Sequence, residues 1–524
     1  MSRLKRGYTV WLATVALALA TAGCGASGPG ADDGQASGQP QKGGVVSYAV
    51  PFETPSMDPA LCGSLVGFTY CSPVFSTLMR YDSDSRSYVP ELAESLKSDD
   101  GQNWTLRLRN GVKFSDGQPL NADAVLFNWD RIRNPATASP AAAVSQTLTW
   151  TKTDDLTIQI QTKTPNFQLP SVLVTQMGSI GSPAAIQAAG QDVGNKPVGA
   201  GAFLMKTWTR GSQMEFSANP TYWQAGRPYV DGLVIGFVPS DDQRFNVFES
   251  GALDVNYSVQ WNEIPRAKDI PDTSIQPVPI EGGASLAFNL NDPVVQDQGL
   301  RQAIMHALDA SQVTAAAYPG SPVPDALLKS DNPARDDAAG VFPSLDLSQA
   351  QNLFDDYLRR TGKTSESISI TSYADVPVQK AASEVMQQQI SQIRGLTVKL
   401  QPVDVATLTK AQRERSFQII QGNATVDTLD RMYDLFHTGG ALNFYNYSNP
   451  VVDKAMEESR AAKDPDQALK AYTTAAGEIS KNGPLRFYRW VASNVLYHND
   501  VHGIVAVPTT ALMGIYWENV WLSR

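Results

Sequence analysis

The stretch VQKAASEVMQQQISQIRGLTVKLQPVDVATLTKAQRERSFQII, residues 378–420, decides the fold class. Val378, Ala381, Ala382, Val385, Met386, Ile390 and Ile393 recur at helical spacing on one face, and Gly395 marks the stop. Leu396, Val398 and Leu400 then alternate with polar residues, the period of a strand. The unit repeats with a helix expected at 406–414 and a strand at Phe417, Gln418, Ile419 and Ile420. Helices that alternate with strands cover both faces of a sheet, so this region is expected to be an α/β lobe with a largely buried sheet.

Working outward, the texture changes at Glu281-Gly282-Gly283, where a second lobe is expected to begin. Leu286, Phe288 and Leu290 follow as a strand and 299–308 as a helix. Upstream, 43–50 is strand-like, and the prolines of 51–59 end it in a loop. Trp104, Leu106 and Leu108 alternate, Asp116-Gly117 signals a turn, and a helix carrying Ala124, Val125, Phe127 and Trp129 is expected from about Asn121. The segment 196–256 reads as β-rich. Its Gly199 and Gly201 lack the spacing and the Gly-Lys of a nucleotide loop, which leaves bulges or close backbone contacts as their reason.

The amino terminus sets the compartment. Arg3, Lys5 and Arg6 precede an apolar run from Val10 to Ala20 that ends in small residues and Cys24, the order of a secretory signal peptide. About eleven apolar residues fall short of the ~20 that span a bilayer. Thr21-Ala22-Gly23-Cys24 resembles the bacterial lipobox, with Thr21 in place of the usual Leu, so Cys24 is expected to carry the lipid anchor at the extracytoplasmic face of the membrane. Residues 1–23 are then the signal peptide and 24–42, rich in Gly, Ser, Gln and Asp, a flexible tether with a reach of about 20–25 Å.

Removing residues 1–23 takes three positive charges from the net −10 and leaves −13. An acidic chain of this kind is a poor partner for nucleic acid or anionic lipid, both of which need clustered Lys and Arg. Cys62 and Cys71 remain as a pair in an oxidising compartment, where a disulfide is the economical reading. A metal site there is disfavoured, because the four histidines are scattered.

At this point the residues resemble the family 5 extracellular solute-binding proteins, whose members bind dipeptides, oligopeptides or nickel chelates. The likeness is carried by Pro90-Glu91-Leu92-Ala93-Glu94-Ser95, Asp99-Asp100-Gly101, the stretch 106–125 with Arg109-Asn110-Gly111-Val112-Lys113-Phe114-Ser115-Asp116-Gly117, Asn219-Pro220-Thr221-Tyr222-Trp223, Ser250-Gly251-Ala252-Leu253-Asp254-Val255, Phe288-Asn289, Arg301-Gln302-Ala303 and Ala307-Leu308-Asp309. The resemblance implies an α/β, two-lobed periplasmic-binding-protein-like fold with a hinge between the lobes and a small third domain. Its divisions would be lobe I at 43–73, 191–283 and 491–524, the additional domain at 74–190, and lobe II at 284–490. It implies a monomer that hands a small solute to the permease and ATPase subunits of an ABC importer, with no cofactor.

No residue set suggests catalysis. His498 and His502 stand in strand-like surroundings, where that spacing does not converge two ligands on a metal, and no serine occupies a Gly-x-Ser-x-Gly elbow. Ligand contacts are expected from loops at the lobe boundary. The first candidate is Phe52-Glu53-Thr54, after the opening strand. The second is the segment after strand 417–421, Gly422 followed by Asn423, Ala424, Thr425, Val426 and Asp427. In peptide-binding members the matching loop carries Trp and an Asp that pairs with the ligand's amino terminus. Here Trp is absent, and Asp427 matches a later Asp of the motif, which leaves Thr425 or Val426 where that carboxylate is expected. The third is Asn256-Tyr257-Ser258, taken as the crossover between lobes, with Tyr257 a cleft or a core aromatic. Trp261 is a further aromatic candidate, and the Phe444–Tyr447 run is read as structural.

Two functions follow. The first is an importer receptor for a peptide or peptide-like solute, blocked or modified at its amine; a glycan or metal chelate is the variant of that reading. The second is a receptor-like regulatory or interaction protein of envelope assembly.

Overall fold

The structure is a computed structural model that describes residues 38–62, 67–82, 85, 87–174, 177–278, 280–338, 340–426, 428–506 and 514–524. The expected signal peptide, Cys24, most of the tether and Asp427 lie outside the described residues.

In chain order the strands are β1 (Val45–Val50), β2 (Met79–Asp82), β3 (Ser87–Pro90), β4 (Ala93–Ser98), β5 (Asn103–Leu108), β6 (Leu148–Asp154), β7 (Thr157–Thr162), β8 (Phe203–Thr209), β9 (Gln213–Ala218) and β10 (Gly232–Phe237). They continue with β11 (Val255–Ser258), β12 (Thr273–Pro277), β13 (Gly282–Phe288), β14 (Glu366–Tyr373), β15 (Leu396–Val403), β16 (Ile419–Thr425), β17 (Leu485–Trp490), β18 (Asn494–His498), β19 (Val501–His502) and β20 (Trp521–Leu522). Three sheets hold sixteen of them, and β2-β3 and β19-β20 form two-stranded pairs. Of the three sheets, one has the order β12-β18-β11-β1-β10-β9-β8, a second β15-β14-β16-β13-β17, and a third β4-β5-β7-β6.

The first sheet is built on β1, which pairs in parallel with both β10 and β11. Its Val46, Tyr48 and Val50 enter one core with Leu233, Ile235 and Val255, while Ala49 faces a smaller core of Phe245, Phe248 and Leu496. Period-2 alternation thus covers both faces of the strand. In the antiparallel third sheet, Trp104, Leu106 and Leu108 pack with Ile158 and Ile160 against Val125, Trp129 and Ile132 of the helix Ala122–Arg133. The Asn121 side chain caps that helix by accepting from the Ala124 amide, at the expected start. Gly117 takes φ 85° in the Asp116-Gly117 turn. The close-contact reading of Gly199 and Gly201 also holds, since a Cβ on either would come within 2.3 Å of the Val74 carbonyl group.

In the second sheet β14 lies parallel to β15 and β16, with the helices Pro377–Ile390 and Val405–Glu414 as the crossovers. Ala382, Met386 and Ile390 meet Ile368, Ile370, Leu396 and Val398 in one core. Three details depart from the sequence reading. Val378 is exposed in the first turn of the helix, which starts at Pro377. β13 ends at Phe288, two residues before Leu290. The strand expected at 417–421 begins at Ile419 and runs on to Thr425, so Gly422–Thr425 is strand and not loop. Seven consecutive pairings with β13, from Gly282↔Thr425 to Phe288↔Ile419, hold that backbone extended.

Cys62 and Cys71 form a disulfide with Cα atoms 5.9 Å apart. Closing so short a loop restricts the unfolded chain by roughly 2–3 kcal/mol. A double Cys62→Ser, Cys71→Ser variant is expected to melt several degrees lower, measured by calorimetric thermal unfolding.

A buried acidic pair lies near the C-terminal segment. Glu91 accepts from the Thr77 amide at 3.2 Å and its hydroxyl at 2.8 Å, and Arg80 reaches Glu518 at 3.5 Å while stacking on Tyr516. Burial, and then the neighbouring Glu518 carboxyl, push Glu91 up from 4.5 to about 7. A carboxyl whose proton is held more tightly in the fold contributes stability below pH ~4.5 that is lost as pH rises through ~7. Glu91→Gln is therefore expected to raise the melting temperature at pH 8 and to match wild type near pH 4; equal curves at both values would contradict this.

Candidate functional site

The two larger sheets direct the carboxyl ends of their parallel strands at a common boundary. In the first sheet β1, β10 and β11 end there, in the segments 51–54, 238–240 and 259–262. In the second, β14, β15 and β16 end at Tyr373, Val403 and Thr425. The chain crosses that boundary twice, at 278–281 from β12 to β13 and at 491–493 from β17 to β18. The crossings are tied together: the Val278 amide donates to the Ser493 carbonyl at 2.9 Å, Val491 to Gly282 at 3.0 Å, and Val426 to Glu281 at 2.9 Å. Ligands in open α/β sheets bind outside the carboxyl ends of the strands, and clefts between domains are favoured binding places.

Small residues permit the junction. Gly282 has φ 119°, and a Cβ there would lie 2.2 Å from the Ala424 carbonyl oxygen. Around it, the Trp261 indole donates to the Trp490 carbonyl at 3.1 Å and Arg489 Nη2 to the Val259 carbonyl at 3.0 Å. The Arg489 guanidinium also lies over the Tyr318 ring, 4.4 Å from its centroid. Lys329 Nζ donates to the Ile280 carbonyl at 2.6 Å, and its amide donates to Glu281 Oε2 at 2.9 Å. Burial lowers the pKa of Lys329, opposed by Glu281, and burial likewise lowers that of Arg489. Beside them runs a buried polar chain: Gln421 Nε2 donates to Gln379 Oε1 and Tyr488 Oη at 2.9 Å each, and Tyr488 Oη donates to Gln379 Oε1 at 2.7 Å. Tyr373 and Asn423 hydrogen-bond at the end of this chain.

The residues singled out from sequence fall into three groups. Phe52 is half exposed at the end of β1, and its carbonyl accepts from Tyr70 Oη at 2.8 Å. Glu53 uses both carboxylate oxygens internally, on the Trp208 indole at 2.8 Å and the Gly211 amide at 3.0 Å. Buried Thr54 donates to the Ser56 carbonyl. At the end of β16, Asn423 is exposed and Thr425 half-buried, whereas Ala424 and Val426 are buried, Val426 with its carbonyl accepting from Tyr472 Oη at 2.8 Å.

The third group is corrected. Asn256-Tyr257-Ser258 is not a crossover but part of β11, between β1 and β18. Tyr257 is fully buried in the first sheet's core with its hydroxyl 3.0 Å from Ser493 Oγ, so it presents no surface to a cleft. Every residue of β11 is buried, and only paired backbone satisfies such a segment. Tyr445 and Tyr447 are core residues, as expected. His498 stacks on Phe248 and His502 on Trp521, on separate rings.

Sequence reasoning passed over Arg489, Tyr318, Trp490 and Lys329. Arg489 had a usable signal: it stands in Leu485-Arg486-Phe487-Tyr488-Arg489-Trp490, and a charge inside so apolar a strand is costly unless it is used.

A model of the bacterial extracellular solute-binding proteins, family 5 Middle, matches residues 87–446. The oligopeptide-binding protein AppA of Bacillus subtilis is 24% identical over 100% of both chains. The glutathione-binding protein GsiB of Shigella boydii is 23% identical over 75% of this chain and 78% of its own. Among solved structures, AppA of Bacillus subtilis with a nonapeptide superposes with a TM-score of 0.75 at 20% identity, covering 93% of this chain and 100% of its own. AgaA of A. tumefaciens R10 with agropinic acid does so with a TM-score of 0.77 at 21% identity, covering 92% and 99%. The shared architecture is the α/β, two-lobed fold of periplasmic binding proteins.

Proposed function

This chain belongs to family 5 of the bacterial extracellular solute-binding proteins, and on that premise we propose that it is the lipid-anchored receptor of an ABC importer, capturing a peptide or peptide-like solute between its lobes. It is a binding protein and not an enzyme. The observation that carries the reading is the boundary where the chain crosses twice, with the carboxyl ends of both sheets' parallel strands directed at it. Lobe I comprises 43–73, 191–283 and 491–524, the additional domain 74–190, and lobe II 284–490, with the paired crossings as the hinge. Closure has to bring extra affinity from contacts made only in the closed state. The solute contacts are assigned to Phe52, Asn423, Thr425 and the neighbouring residues of both segments, and the loaded receptor docks on the membrane permease.

With Thr425 or Val426 where an ammonium-pairing carboxylate is expected, and Val426 buried, a blocked or modified amine suits the site better than a free one. A lost charge-assisted bond of that kind costs roughly 2–3 kcal/mol. Calorimetry of the mature chain against free and N-acetylated peptides, glycans and metal chelates tests the cargo. Acetylated peptides are expected to bind at least as well as free ones, and binding of glycans alone would sink the peptide assignment. Cys24→Ser is expected to move the protein from the membrane fraction to the soluble one.

A further inference from the structure

We propose that Arg489 is the anion-binding residue of the solute site, so that the cargo carries a carboxylate or another oxyanion placed against the lobe II side of the crossings. The inference rests on the importer-receptor reading above and names the chemistry of its cargo.

Three observations carry it. The first is position: Arg489 is the penultimate residue of β17, with only Trp490 between it and the crossing 491–493. Its register places it there, because Ala284 pairs with Arg489 and Ser285 with Phe487. Tyr488 is thus the extra residue of a bulge, a device that re-aims the side chain beside it.

The second is an unfilled bonding capacity. A guanidinium offers five N–H donors in a fork suited to a carboxylate. Here Nη2 meets the Val259 carbonyl, Nε has no hydrogen-bond partner, and among the described residues no carboxylate oxygen comes within 4.0 Å. Arg486 on the same strand shares the unpartnered Nε, with Nη1 on the Pro343 carbonyl, but stands farther from the crossing; three other arginines are satisfied differently. Arg131 is bidentate on Asp58, Arg244 pairs with Asp241, and Arg301 donates to the carbonyls of Val295, Gln296, Asn482 and Gly483.

The third is the platform beneath it. The Tyr318 ring supports the guanidinium from one side, which orients a planar cation without neutralising it. In a chain of net charge −10, a half-buried cation without a carboxylate partner at the binding boundary is a selective feature.

Arg489→Met keeps most of the stem's packing and removes the charge. The mature wild-type and variant chains are compared by calorimetry and thermal shift on matched solutes, each offered as the free acid and as its amide: N-acetylated peptides, uronic acids with their uronamides, and carboxylate metal chelates with amide analogues. Wild type is expected to favour the acids by about 10- to 100-fold, and Arg489→Met to lose that preference. Arg486→Met, three residues earlier on the same strand, is the control and is expected to keep it.

A role confined to holding the lobes together makes the opposite forecast for the empty protein. If Arg489 serves the solute, Arg489→Met leaves the melting temperature of the unliganded chain unchanged or higher; a fall of more than about 5 °C identifies a structural latch and overturns the proposal. It is also overturned if amides bind as well as acids, if Arg489→Met retains the preference, if Arg486→Met loses it equally, or if no acid of any skeleton binds. Binding of non-peptide acids alone overturns the peptide reading and leaves this one standing.

Discussion

Gly283→Ala is expected to destabilise the fold severely, seen as a sharp fall in soluble yield and a much lower melting transition. The new Cβ would lie 1.8 Å from the Arg489 carbonyl oxygen, 2.9 Å from its carbon and 3.1 Å from the Trp490 Cα. All three are backbone atoms, so no rotamer change relieves the clash. β13 is held by β16 on one side and β17 on the other, and Gly283 pairs with Trp490 at the start of the strand, beside both crossings. Separating them breaks ladder hydrogen bonds as well as packing. The cost is expected to reach about 4–5 kcal/mol, a large part of the 5–15 kcal/mol that holds a typical domain folded. Gly422, four residues from Val426 on the facing strand, has no atom within 4 Å of an added Cβ. Gly422→Ala is accordingly expected to leave stability within about 0.5 kcal/mol of wild type or to raise it slightly. If both glycines tolerated alanine equally, the close approach of β13 to β17 would be wrong.

The second large effect is expected at Asp58. Its two carboxylate oxygens receive Arg131 Nη1 at 2.9 Å and Nη2 at 2.7 Å, while Oδ1 also accepts from the Ala60 amide and caps the short helix Pro59–Leu61. Asp58 is only 5% exposed, and Arg131 lies on the helix Ala122–Arg133 that covers the third sheet. The pair thus fastens the loop leaving β1 to the helix that covers the third sheet. Asp58→Ala strands the Arg131 cation and frees a helix start, a loss of roughly 3–5 kcal/mol in urea unfolding. Adding Arg131→Met is expected to recover part of that loss, because the remaining uncompensated charge goes with it.

Much of the architecture was legible in local periodicity. Ala382, Met386 and Ile390 on one helical face, followed by Leu396 and Val398 on a strand, gave an α/β region, because each residue's burial follows from neighbours within a few turns. The alternation of Trp104, Leu106 and Leu108 and the Asn121 cap were readable for the same reason. The place where the chain changes sheets was not. Asn256-Tyr257-Ser258 looks like an exit after Asp254, yet β18, more than two hundred residues later, pairs with it and holds it inside the sheet. The end of β16 was misread likewise, since Gly422–Thr425 lacks strong strand formers and is held extended by β13.

Of the proposed binding boundary, the sequence singled out two segments, Phe52–Thr54 after β1 and Asn423–Val426 at the end of β16, together with the family. Tertiary structure alone decided which polar groups stand between them. The position of Arg489 depends on a bulge at Tyr488 against Ala284 and Ser285, on the Val259 carbonyl at the end of β11, and on the ring of Tyr318. These partners are separated from it by between one hundred and seventy and two hundred and thirty residues of chain. No local pattern encodes such contacts, because they arise only when strands distant in sequence take their register.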